Sequence, residues 1–423
     1  MTPSAGSSWP KAHLVPTSGT YPRGFRVAGL ASGVKKHGKK DLAVVVSDHP
    51  CTAAAVFTQN AFSAAPVNVT RQQLTQRANA DFHQLVVNSG CANACTGERG
   101  LADAHRMVDL VSGATGREGT LVMSTGVIGQ HLQMDKIGQG IAQAVAQAET
   151  SHDAWLRVSE AIMTTDTFPK LMSREVTLPG TDRSYRLVGF CKGAGMIKPN
   201  MATMLASIFT DANVSAECIQ LATKSVVEHS FNAIIVDGDT STNDTFAVMA
   251  NGASGMDSIT DPHSAEFAEF QAQLRDFATT LSQLIVRDGE GATKFVDVHV
   301  KNAPSFADAK AIANTIALSP LVKTAMYGRD ANWGRIICAV GYSGVRVTPE
   351  KVNMHLCAAK TGETLHLFKD GAPHDTNETV ASRILDEEDL IIQVDLGLGQ
   401  EEAHVYTCDF STDYIHINAD YRS

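Results

Sequence analysis

The stretch Lys192-Gly-Ala-Gly-Met-Ile-Lys-Pro-Asn-Met-Ala-Thr203-Met-Leu205 holds residue types suited to nucleophilic acyl chemistry. Gly193 and Gly195 permit a sharp turn or a close approach of backbone to a ligand. Pro199 fixes φ and disfavours helix at Lys198 before it. Met201 to Phe209 is then an apolar run in which Thr203 is the first polar side chain. A threonine at the mouth of a buried strand is stiff at χ1, so its hydroxyl can be aimed. Such a hydroxyl is a weak nucleophile and needs a base. Spacing alone leaves a second reading open, in which Thr203 merely bonds a neighbouring carbonyl in a core strand.

Other short motifs carry similar pairs of readings. Ser124-Thr-Gly-Val-Ile-Gly129 follows the apolar Leu121–Met123. Backbone N–H groups beside its glycines can converge on an anion, or the segment is an ordinary turn. Asn88-Ser-Gly-Cys-Ala-Asn-Ala-Cys-Thr-Gly97 is a small-residue loop that can lie against a substrate or simply join a strand to a helix. Thr164-Thr-Asp-Thr-Phe-Pro-Lys170 closes a helical segment and can be a cap and turn. Asp237-Gly-Asp-Thr-Ser-Thr-Asn-Asp244 fails as a calcium loop, because its sixth position is Thr242 and its twelfth Val248. Asp288-Gly-Glu-Gly-Ala-Thr-Lys294 sets Glu290 between glycines. Gly328–Arg335 either binds substrate or fixes its loop. Cys91 and Cys95 are spaced C-x-x-x-C with no second ligand pair downstream, so they read as core or loop thiols and no metal site is expected.

Several of these motifs together resemble the ornithine acetyltransferase family, the glutamate N-acetyltransferases of arginine biosynthesis. The carriers are KGAGMIKPNMATML at Lys192–Leu205, N-S-G-x-A-N-A-x-T-G at Asn88–Gly97, T-T-D-T at Thr164–Thr167 and the C-terminal Asn418–Ser423. The resemblance implies self-cleavage between Ala202 and Thr203, after which Thr203 carries the acetyl group as an N-terminal nucleophile. It implies Thr125 and Gly126 as the oxyanion hole, and Thr165 (with Thr164 the near alternative), Lys192, Glu290, Asn418 and Ser423 as substrate contacts. N-acetylornithine and glutamate are the implied substrates. No cofactor is implied, although some members also accept acetyl-CoA as a donor. The implied assembly is an α/β pair of cleaved chains that doubles into a heterotetramer. Two alternatives stand beside it, a self-cleaving aminopeptidase of the same fold and an inactive ligand-binding relative.

The implied fold is a four-layer αββα sandwich of the self-cleaving acetyltransferase/aminopeptidase type, with a smaller C-terminal α/β lobe. Residues 16–202 and 203–423 become the two chains, and the lobe is expected from about 352. Residues 1–15 are expected to be a targeting or disordered segment. Met1–Lys40 contains no Asp or Glu, and the stretch from Pro16 resembles the mature start of mitochondrial relatives. Together they point to the mitochondrial matrix, with the cytoplasm as alternative.

The chain has 423 residues, of which 43% are hydrophobic and 19% charged, an ordinary globular balance for two or three lobes. Its net charge of −10 argues against nucleic-acid binding. No apolar run approaches the roughly 18 residues of a membrane span. Eight scattered cysteines suit buried thiols in a reducing compartment. Val44–Val46, Ala53–Phe57, Leu85–Asn88 and Leu121–Met123 read as strands, with Asp48-His-Pro50 a turn between the first two. Arg174–Leu178 and Tyr185–Phe190 read as a hairpin that delivers Lys192. Phe267, Phe270, Leu274, Phe277, Leu281 and Leu284 recur at spacings of three and four, one face of a long packed helix.

Overall fold

The computed structural model describes residues 9–178, 183–198 and 204–420. Its strands run β1 Phe25–Leu30, β2 Leu42–Phe57, β3 Phe82–Cys91, β4 Thr120–Val127, β5 Lys170–Thr177, β6 Ser184–Lys192, β7 Leu205–Thr210 and β8 Ile234–Ile235. They continue as β9 Thr245–Ala250, β10 Phe295–Ala303, β11 Asn353–Ala358, β12 Thr364–Lys369, β13 Ala372–Pro373, β14 Asp389–Asp395 and β15 Glu401–Cys408. The helices are α1 Ala65–Gln76, α2 Gly97–Thr115, α3 Met134–Gln147, α4 His152–Ala161, α5 Ala216–Val227 and α6 Ala265–Arg287. Then follow α7 Phe306–Leu318, α8 Pro320–Tyr327, α9 Trp333–Gly341, α10 Glu378–Asp386 and α11 Thr412–Ala419. The chain forms two compact units. The second comprises Ala194–Lys198, Ala233–Gly238 and the residues from Val286 onward, and the first holds the rest.

In the first unit the strand order is β4-β3-β2-β9-β7-β6-β5, with β1 also paired to β2. The long β2 serves two half-sheets: Leu42–Val46 pair with β1 and β3, whereas Thr52–Phe57 pair with β9. Alternation sorts the side chains. Val45, Val87 and Met123 of one half share a buried cluster with Val188, Phe209 and Met249 of the other, and Trp155 of α4 joins them. The opposite faces of β2, β3 and β4 bury Val44, Val86 and Val122 against Met107, Val111, Ile137 and Ile141 of α2 and α3. On the far side, Gly189 of β6 faces Phe277 and Leu281 of α6. The result is helix, sheet, sheet, helix, as expected. Ser151, Ser215 and Ser319 cap α4, α5 and α8 by accepting backbone N–H bonds, each worth about 1 kcal/mol.

One expectation fails here. Asp48-His-Pro50 is not a turn, because β2 runs through it. The register against β3 shifts between Val46 and Cys51, and the three residues are exposed at that irregularity. A bulge tolerates polar side chains and a proline lacking its N–H.

The second unit holds a seven-stranded sheet in the order β13-β12-β11-β14-β10-β15-β8. Val296, Val298, Met354, Leu356, Ile392 and Val405 project from one face into a core with Ile312, Ile316 and Ile384. This unit starts well before the expected 352, because β10, the strand paired to both β14 and β15, belongs to it. No disulfide links any of the eight cysteines, and Cys95 and Cys338 are exposed, against the expectation of buried thiols. Among the described residues no helix is long and apolar enough to cross a membrane.

Candidate active site

In the first unit, strand ends bring Lys192 and Thr125 together. β6 closes on Lys192 and β4 carries Thr125 near its end. The Lys192 ammonium donates to the Thr125 hydroxyl at 3.1 Å. Because that oxygen accepts from Lys192, its own hydrogen is left to donate elsewhere. Gly126 follows at φ +128°, and a Cβ there would lie 2.4 Å from the Gly90 carbonyl carbon and 2.6 Å from the Cys91 nitrogen. A side chain cannot enter that gap, so the β4 backbone lies close against the end of β3 only with glycine.

The loops around Thr125 are tied by amides. Asn243 donates to the carbonyls of Ala92, 2.6 Å, and Ser124, 2.8 Å. Ser124 donates to Asn88 at 2.6 Å, and Asn88 donates to the Cys91 carbonyl at 2.9 Å. The small-residue loop after β3 is therefore braced from within, as is the Thr242–Asn243 stretch of the former calcium candidate.

Asp166 anchors the other side. Its carboxylate accepts from the Lys170 ammonium at 2.6 Å, the Gly193 N–H at 2.7 Å and the Thr164 N–H at 2.8 Å. Asp166 and Lys170 side chains are both wholly buried. Burial pushes the Asp166 carboxyl up, but the Lys170 and Lys192 charges and the Gly193 N–H outweigh it and hold it below the usual carboxylate range. Thr164 is committed to this turn. Thr165 makes no hydrogen bond among the described residues and is half-buried, which separates it from its neighbour. Lys35 donates to the Met163 carbonyl at 2.6 Å. Burial lowers its ammonium to about 8, with Asp41 and Asp166 opposing the fall.

Asp244 completes the set. It is buried, and one of its oxygens has no hydrogen-bond partner among the described residues. Burial pushes its carboxyl well up, against the pull of Lys192 and of bonds from Ser241 and the Met204 N–H.

In the second unit, Glu290 meets Asn418. The Glu290 N–H donates to the Ala194 carbonyl at 2.8 Å. Its carboxylate accepts from the Asn418 amide at 2.7 Å. A Cβ on Gly195 would lie 2.4 Å from that carboxylate, so glycine makes room for it. Asp237 accepts from the N–H groups of Met196, 2.7 Å, and Ile197, 2.9 Å, and from the Tyr414 hydroxyl at 3.3 Å. Ser411, before α11, donates to the Gly291 carbonyl at 2.6 Å. Ser411, Tyr414 and Asn418 thus tie α11 to the loops that carry Gly291, Asp237 and Glu290. Arg329 pairs with Asp386 at 2.6 Å and Asn332 caps α9, so these two residues of the Gly328–Arg335 motif fix structure.

Of the sequence candidates, Thr125, Gly126 and Lys192 gather in one unit, and Glu290 and Asn418 in the other. Thr165 lies one residue from the Asp166 anchor. Ala202, Thr203 and Ser423 lie outside the described residues. Sequence reasoning missed Asp166, Lys35, Asp237 and Asp244 as organisers. The only signal for Asp166 was its place inside T-T-D-T.

Comparison with known proteins bears on this arrangement. The model of the ArgJ family matches residues 26–423. "Arginine biosynthesis bifunctional protein ArgJ, mitochondrial" of Schizosaccharomyces pombe is 51% identical over 425 residues, covering 98% of this chain and 95% of that one. The protein of the same name from Yarrowia lipolytica is 52% identical over 419 residues, covering 98% and 96%. Among solved structures, the ArgJ protein of Bacillus halodurans is 39% identical with a TM-score of 0.47, covering 50% of this chain and 96% of that one.

Proposed function

Because the chain belongs to the ArgJ family, we propose that it moves an acetyl group from N-acetylornithine to glutamate in the arginine-biosynthesis route, within the mitochondrial matrix. The observation that carries the reading is the Lys192–Thr125 bond beside Gly126. A cation and two donors at strand ends suit an acyl-transfer site better than a structural turn.

The precursor cuts itself first. Thr203 Oγ attacks the Ala202 carbonyl carbon, the peptide C–N bond breaks, and the resulting ester is hydrolysed by water. The Thr203 α-amine is thereby freed. An α-amine has a reference pKa of about 7.7–8.0, so a useful neutral fraction exists near pH 7. It takes the proton from its own hydroxyl as general base, and no histidine is required.

Thr203 then attacks the acetyl carbonyl of N-acetylornithine. Negative charge on the tetrahedral intermediate is held by the Thr125 hydroxyl and the Gly126 N–H. One such donor is worth about 3–4 kcal/mol of barrier. The Lys192 ammonium polarises the Thr125 hydroxyl and offers a partner to the substrate α-carboxylate. Ornithine leaves with the proton, and an acetyl-Thr203 ester remains. Glutamate takes the acetyl group in the second half-reaction. Thr165, Glu290, Asn418 and Ser423 complete the substrate contacts, with Glu290 meeting a substrate ammonium. Acetyl-CoA serves as a second donor, as the word bifunctional in the relatives' name suggests. The cleaved halves form a heterodimer that pairs into a heterotetramer.

Intact mass under denaturing conditions tests the first step, with two species of residues 1–202 and 203–423 expected. Acetyl transfer from N-acetylornithine to glutamate tests the second. A single uncut mass from an active preparation would refute the nucleophile assignment.

A further inference from the structure

A second cluster of chemistry-bearing side chains lies on the other face of the second unit's sheet. Val298 and Val300 of β10 and Ala403 and Val405 of β15 point into the core. By strand alternation His299 and His404 point away from it. The two are direct partners in the antiparallel register. Their rings stack with centroids 4.0 Å apart and planes within 12°. Carboxylates flank the pair. His299 Nε2 lies 2.9 Å from Glu402, and His404 Nδ1 lies 3.0 Å from both oxygens of Asp297.

The hydrogen bonds decide which nitrogens are available. Asp297 accepts the Nδ1–H of His404, so the lone pair of that ring is on Nε2. The Gln393 amide approaches His299 Nδ1 at 3.5 Å, leaving the His299 proton on Nε2 beside Glu402. A carboxylate holding the far nitrogen of an imidazole is the usual outer support of a metal-ligating histidine. One ligand atom from each of His299, Glu402 and His404 lies within 4.8 Å of the others. Ligands at about 2.0–2.2 Å from an ion sit at most about 4.4 Å apart. Two parallel rings cannot both aim an in-plane lone pair at one ion, so binding turns one imidazole about its side-chain bonds and swings Glu402, whose side chain is 60% exposed, to meet it.

We propose that His299, His404 and Glu402 form a divalent-metal site of zinc type on this sheet face, with Asp297 as the positioning residue for His404. Two imidazoles and a carboxylate suit borderline cations such as zinc and not the oxygen-seeking magnesium or calcium. Metal replaces the Nε2 proton of His299, and that proton goes to solvent. The 2.9 Å pair with Glu402 then becomes two adjacent ligands, and water fills the remaining position. The ion joins β10 to β15 across the face their backbone hydrogen bonds already hold. This reading is independent of the acetyl-transfer chemistry.

The test uses the full, untagged protein, stripped with a chelator and exchanged into chelator-free buffer. Zinc is titrated in competition with a chromophoric chelator. One equivalent per chain is expected. His299→Gln and His404→Gln should each abolish it, and Asp297→Asn should weaken it by about 10–100-fold. Cobalt substitution should give visible absorption in the parent that is lost in the same variants. Should a histidine variant fail to fold, Glu402→Gln at the more exposed position reads the same site. Equal zinc affinity in the parent and in His299→Gln and His404→Gln overturns the proposal. So does the absence of a stoichiometric equivalent, or its loss only on replacing His355 and His366, a second stacked pair formed by register partners on β11 and β12.

Discussion

Replacing Asp166 with Asn keeps the shape of the side chain and one acceptor for Gly193, but removes the negative charge. Lys170 then remains wholly buried without the Asp166 carboxylate. Its ammonium also lies 4.9 Å from the Phe168 ring, a contact worth at most about 2 kcal/mol. Removing one partner of a buried ion pair costs about 3–5 kcal/mol. With zero exposure on both side chains, the upper part of that range applies. At a urea slope of about 3 kcal/mol per molar, the unfolding midpoint should fall by roughly 1–2 M. Fluorescence of Trp155, buried in the first unit's core, reports the transition. Asp166→Asn combined with Lys170→Met should recover most of the loss, since both charges of the buried pair are then removed together. The sign in pH is fixed by the depressed carboxyl. Its contribution is complete above the unfolded Asp value of about 3.9 and is lost as pH falls through the folded value below that. Between pH 5 and 8 the parent–variant difference should therefore be flat. A single variant within 1 kcal/mol of the parent, or a double variant no more stable than the single, would refute the reasoning.

Gly126→Ala drives a methyl group into the Gly90–Cys91 backbone, and kcat for acetyl transfer should fall by about 100–1000-fold, as for one lost oxyanion donor. Gly195→Ala crowds the Glu290 carboxylate, so KM for N-acetylornithine should rise more than kcat falls, which steady-state kinetics separates. Lys35, lowered to about 8 by burial, binds a proton more readily when unfolded. Stability should then rise with pH from about 8 to 10, and Lys35→Met should remove that slope in urea titrations at each pH.

Local motifs were the legible part of this chain. Turn glycines and the stretch proposed to carry the nucleophile stand out because each is contiguous, and the periodicity of α6 names its buried face without help. The anchor of Lys192 was invisible for the opposite reason. Asp166, Gly193 and Lys170 come from a loop and two strand ends, and only their pairing puts a carboxylate among two ammonium groups. Asp237 and Asp244 looked alike as acids in a polar loop. Folding separates them: one receives the N–H groups of Met196 and Ile197, and the other is buried with an oxygen unbonded among the described residues. Asp48–Pro50 misled because a bulge inside a strand uses the same residues as a turn. The histidine row escaped notice since residues 299 and 404 meet only through strand register.

The strand order of the first unit has a consequence for inheritance as well as for stability. β7 and β9 follow residue 203, yet they lie between β2 and β6, which precede it. After the proposed cut the two products interleave within one sheet, joined by the ladders β2–β9 and β6–β7. Neither product made alone would have a finished sheet. The first would expose two unpaired strand edges where β7 and β9 belong, and such edges seek other chains. A gene split at this point would yield partners that must meet while folding. Maturation by internal cleavage avoids that problem, because the strands are laid down in one chain before the bond is broken.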